Sequence, residues 1–108
     1  MVQGRRYALL VAESSLLALV HMGSAELFID QGNITGAQEE IDLAGQFLKA
    51  VVDPLGTAEL ERVRARLALE RGNLDLAREH ASAGEAAAGA GESPLLRTEC
   101  AAVGAAAM

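Results

Sequence analysis

Two stretches of this chain, forty residues apart, share the pattern Ala-x-Leu-x-x-x-x-Gly-Asn-x-x-x-Ala, at 25–37 and again at 65–77. Ala25, Leu27, Gly32, Asn33 and Ala37 match Ala65, Leu67, Gly72, Asn73 and Ala77. Ile29/Leu69, Asp30/Glu70, Ile34/Leu74 and Glu39/Glu79 agree around them. A Gly-Asn break between two helical patterns reads as a helix–turn–helix unit, and its repetition implies units that bury their faces by stacking on one another. That constraint excludes most folds before composition is considered.

Composition narrows it further. The chain has 108 residues, enough for a single domain over 1–108 but near the lower end of what buries an adequate core alone. Hydrophobic residues make up 51% and aromatics only 3%, so close backbone packing must replace bulky side chains. A net charge of −6 argues against nucleic acid, because phosphate contacts need a basic face. The single cysteine forbids an internal disulfide and fits a reducing compartment, so the expected localisation is cytoplasmic. Arg5-Arg6 before an apolar run mimics a signal segment, but Glu13-Ser14-Ser15 interrupts that run and leaves it short for a bilayer. Ala18 and Val20 also have counterparts in Ala58 and Leu60, which assigns the segment to the repeat. No membrane partner is expected.

Along the chain the apolar spacing predicts about five helices and no strand. The first spans about Tyr7 to Gln31, whole or broken near Glu13–Ser15, with Val20, Leu27 and Phe28, and Leu16 and Leu17 before them, as its expected buried face; it ends at Gly32, where a left-handed backbone costs glycine little. Asn33 or Thr35 caps the second, about 35–51, whose stripe of Ile34, Ala37, Ile41, Ala44, Leu48 and Val51 is the clearest in the chain. Asp53-Pro54 stops it. Gly56 and Thr57 then introduce a third helix at 58–71, and Gly72-Asn73 a fourth at about 74–88 with a fraying Ala/Gly-rich end. Ser93-Pro94 starts a fifth, from 94 towards Met108. Repeat 1 therefore covers about 16–52, repeat 2 about 57–91, and 94–108 is a capping or incomplete third helix.

These residues resemble the tetratricopeptide repeat family, in the degenerate form of bacterial regulators. Ala25 and Ala65 match its small residue in helix A, Ala37 and Ala77 its first helix-B alanine, and Ala44 and Gly84 its second. Ile34 and Leu74 match the apolar residue after the turn, and Cys100, Val103 and Ala107 echo Leu60, Val63 and Leu67 as a third helix A. The spacing of forty exceeds the family's 34, with the extra residues between Leu48 and Thr57, and the family's aromatics are largely missing. The resemblance implies an all-α fold of antiparallel helix pairs in a right-handed superhelical stack, with helix A of each pair lining a concave groove.

Catalytic chemistry finds little support, and no metal or cofactor is expected. His21 and His80 lack companions at ligand spacing, Glu39, Glu40 and Asp42 are accounted for by a helix start, and Cys100 falls on an apolar position as a buried, inert thiol. Binding has better candidates. In the family's layout Met22, Glu26 and Ile29 of the first helix, with Leu19 beside them, and Arg62 and Arg66 of the third face the groove. There the paired guanidinium groups could clamp carboxylates, or else pair locally as Glu59–Arg62 and Arg66–Glu70. Leu95, Leu96, Val103 and Met108 leave the last helix short of polar cover, and Leu9, Leu10, Val11, Leu16, Leu17 and Leu19 do the same at the front. Self-association through such an end face is the expectation.

The sequence thus leads to a non-catalytic module binding a protein or peptide, an adaptor or the sensor or oligomerisation segment of a bacterial regulator, and a homo-oligomer. The alternative is a small helical-bundle homodimer that binds an apolar ligand or chaperones a partner. A repeat leaves an open groove beside helices 1 and 3, which a bundle would close internally.

Overall fold

The computed structural model describes residues 2–107, with side-chain surroundings for residues 6–107, and is all-helical over that range. Its elements are α1 (Val2–Asp30), α2 (Ile34–Lys49), α3 (Pro54–Glu70), α4 (Leu74–Ala90) and α5 (Pro94–Ala106). The segment around Glu13–Ser15 is no break. Ser14 is buried, and the Ser15 hydroxyl donates to Asp53 Oδ2 at 2.5 Å, so the polar interruption docks α1 onto the start of α3.

The two Gly-Asn turns have one geometry. Gly32 and Gly72 take φ of +76° and +75°, in the left-handed region. The amides of Gly32 and Asn33 donate to the carbonyls of Ile29 and Phe28, and those of Gly72 and Asn73 to Leu69 and Ala68. These reversed bonds satisfy the last carbonyls of the preceding helix. The same asparagine then starts the next helix, Asn33 Oδ1 accepting from Gly36 and Asn73 Oδ1 from Leu76. Thr35 is not the cap. The turn before α5 repeats this arrangement with Glu92 as the left-handed residue, φ 58°, and Ser93 Oγ accepting from Leu96.

The third helix starts one turn earlier than the Gly56-Thr57 reading placed it. Asp53 caps it, accepting from the Gly56 amide at 2.9 Å, and Pro54 occupies its first turn. Proline needs no amide partner there, which is why Asp53-Pro54 both closes α2 and opens α3. The fourth helix remains helical through Ala90 despite its alanine and glycine content, because Ala81, Gly84 and Ala88 are buried along it.

Packing follows the repeat. Each helix packs on the next in sequence, α1 also touches α3, and α3 also touches α5. Among the described residues α2 and α4 do not meet. The contacts are built on small residues: Ala18, Ala25, Ala37, Ala44, Ala58, Ala65 and Ala77 are all fully buried. Where they lie, backbones approach closely, and Ile41, Val63, Leu60 and Leu67 interdigitate between them. Gly84 shows how close: a Cβ there would stand 2.7 Å from Cys100 Sγ. The resulting body is elongated, 49 × 28 × 18 Å.

Candidate interaction surface on α1, α3 and α5

The odd-numbered helices present a shared face. Between them lies a cleft of about 300 Å³ lined by Ser15, Leu19 and Met22 of α1, Leu55, Gly56 and Glu59 of α3, Asp53 and Leu96. Leu19 and Leu55 are largely exposed, and Leu96 is half-buried.

Beside the cleft, Arg62 joins three helices. Its guanidinium is hydrogen-bonded and ion-paired to Glu26 of α1 and Glu59 of α3, and its Nε lies 3.8 Å from Glu99 Oε2 of α5. Burial opposes its charge, but the hydrogen bond and charge of Glu59, joined by Glu26, outweigh that and push the pKa further up. Arg66 pairs with Glu26 at 3.4 Å and with Asp30 at 2.5 Å. A pairing of Arg66 with Glu70 is therefore replaced by one that ties α3 to α1.

This geometry revises the sequence-based site. Glu26, Arg62 and Arg66 do come together, but as each other's partners. Both guanidinium groups are already paired with this chain's own carboxylates, so neither stands free as a clamp for an acidic peptide. Met22 and Ile29 belong to the core, each only 3% exposed, although Met22 also reaches the cleft wall. Of the end-face residues, Leu95 is 72% exposed, Leu96 turns into the cleft, Val103 is half-buried, and Met108 lies outside the described residues.

The histidines hold a relation that the linear reading missed. His21 Nδ1 donates to Glu40 Oε2 at 2.6 Å, bridging α1 and α2, and His80 Nδ1 donates to Glu61 Oε2 at 2.6 Å, bridging α4 and α3. Forty residues separate His21 from Glu61 and Glu40 from His80. The two repeats thus carry the same inter-helix pair with its partners exchanged. Reading positions 21/61 and 40/80 as pairs rather than as lone histidines is the signal that would have found it. Phe47 stacks on His21, with centroids 5.6 Å apart and planes 8° from parallel.

Cys100 is fully buried, and burial pushes its thiol pKa up. No cluster of three or more metal-ligating side chains occurs among the described residues. The stretch Arg6–Asp30 of α1 is long and apolar enough to cross a membrane by length and composition, which corrects the view that the run is too short. Compared with protein-family models, curated proteins and solved structures, the chain finds no significant match.

Proposed function

We propose that this chain is a non-catalytic protein–protein interaction module of tetratricopeptide-like construction, serving as an adaptor or as the sensor or oligomerisation segment of a bacterial cytoplasmic regulator. The open cleft on α1, α3 and α5 carries this reading. A repeat with an A-helix surface leaves that face available to a partner, whereas an internally closed bundle would fill it.

The chemistry of the cleft suggests the partner. Leu19, Met22, Leu55 and Leu96 offer an apolar floor, and Asp53, Glu59, Glu26, Asp30 and Glu99 outnumber Arg62 and Arg66 around it. An apolar side chain flanked by Lys or Arg, on a peptide or partner helix, complements this surface. Selection of random peptides against the immobilised intact chain tests it. Enriched peptides should carry a leucine or aromatic residue beside basic residues, and Leu55→Arg should weaken their binding at least tenfold. Selection of acidic peptides, or binding indifferent to Leu55→Arg, would remove the proposal.

A further inference from the structure

The first helix has two apolar faces, and only one is occupied. Ser14, Ala18, Met22, Ala25 and Ile29 are buried. On the opposite side of the helix Leu9, Glu13, Leu16, Val20, Gly23 and Leu27 succeed one another at steps of four and three, the spacing of a helix–helix seam. Its four large members are 55–65% exposed: Leu9 63%, Leu16 62%, Val20 56% and Leu27 57%.

The fold uses the same face elsewhere for packing. Forty residues on, Val20, Gly23 and Leu27 become Leu60, Val63 and Leu67, which are buried in the core formed with α1 and α2. Gly23 itself has no explanation within one chain. It stands mid-helix, where glycine weakens a helix, and a Cβ added there would meet nothing within 4 Å.

The stripe is self-complementary about Ala18. Leu9 mirrors Leu27, Leu16 mirrors Val20, and Glu13 mirrors Gly23. Beyond the apolar part Arg6 mirrors Asp30, and both are exposed. Two copies of α1 laid antiparallel would therefore stack leucine on leucine near each end and leucine on valine around the centre. Glu13 would lie over the space left by Gly23, and at each end Arg6 would approach the Asp30 that Arg66 already pairs within the other copy. Leu17 and Leu19, flanking the axis, would each meet their own counterpart.

We propose that the outer face of α1 is the contact surface of a two-fold symmetric dimer in which the α1 helices of two copies pack antiparallel. The two-fold makes every contact occur twice, so a stripe that matches its own reverse favours a second copy over an unrelated helix. The stripe also fixes the direction, since a parallel in-register pair would set Glu13 against Glu13 and Arg6 against Arg6 and leave Gly23 facing Gly23 across a gap.

Sedimentation equilibrium and disulfide trapping on the intact chain test this. The wild-type chain should sediment as a dimer, and Leu16→Glu as a monomer with an unchanged helical circular dichroism spectrum, because Leu16 is exposed within one chain and lies outside the cleft. Leu9→Cys mixed with Leu27→Cys should give the mixed 9–27 disulfide on mild oxidation, and neither variant alone should cross-link efficiently; Cys100 is fully buried and does not compete. A monomeric wild-type chain, a dimer indifferent to Leu16→Glu, or preferential 9–9 linkage would overturn the proposal. A chain monomeric in buffer that floats with neutral phosphatidylcholine vesicles would also overturn it and assign the stripe to a bilayer.

Discussion

Glu92 holds the position that glycine holds in the other two turns. It lies at φ 58°, where Gly32 and Gly72 lie at +76° and +75°. A side chain in this region crowds its own carbonyl, so Glu92→Gly should stabilise the fold by about 0.5–1 kcal/mol, read as a rise of a few degrees in Tm. Cys100 gives a second prediction at this scale. Its thiol sits above the ordinary value of 9.0 because it is buried, so the folded state holds the proton more tightly than the unfolded state. Its contribution is complete below pH 9 and is lost as the pH rises through the folded-state value. Thermal melts from pH 8 to 10.5 should therefore show a steeper decline for the wild-type chain than for Cys100→Ala.

Between elements, the exchanged His–Glu pair makes the repeat testable. His21→Glu alone places a carboxylate against Glu40 in a half-buried contact and should destabilise by about 1–2 kcal/mol. The double variant His21→Glu/Glu40→His reproduces the order that Glu61 and His80 already use. It should recover most of that loss in denaturant melts, short of the few tenths to about 1 kcal/mol contributed by stacking on Phe47. An additive double variant would mean that the two pairs are not equivalent. The helix boundaries carry a related lesson. Ser93-Pro94 identified the start of α5, and Asp53-Pro54, its equivalent forty residues earlier, marks the start of α3 in the same way.

At the scale of the whole molecule, Arg62 is, among the described residues, the one cation that touches carboxylates of α1, α3 and α5 together. Arg62→Leu leaves Glu26, Glu59 and Glu99 gathered without it and should destabilise by about 1–3 kcal/mol. Arg78→Leu, which removes only an exposed pairing with Asp75, should stay within about 0.5 kcal/mol. Equal urea midpoints for the two variants would show that Arg62 does not join the helices energetically.

The helices, their breaks and the close alanine contacts were legible in the sequence because they depend on local rules: period, caps, and small residues at a fixed offset. Gly32, Asn33, Ala25 and Ala65 each do in space what their spacing implied. The partners of charged groups were not legible, because Arg62 could reach Glu59 along its own helix or Glu26 and Glu99 across helices, and only packing chooses. For the same reason the buried face expected of the first helix, Leu16, Leu17, Val20, Leu27 and Phe28, was wrong: the first four are exposed, Phe28 is half-buried, and Ala18, Met22, Ala25 and Ile29 face the core instead. Residues three and four apart share a face, but which face the rest of the chain covers is decided by where α2 and α3 dock. Sequence alone determined that helical pairs repeat here. Tertiary structure decided that Arg62 and Arg66 pair with carboxylates of this chain and that one apolar face of α1 is left open, since burial and pairing arise only once separate helices meet.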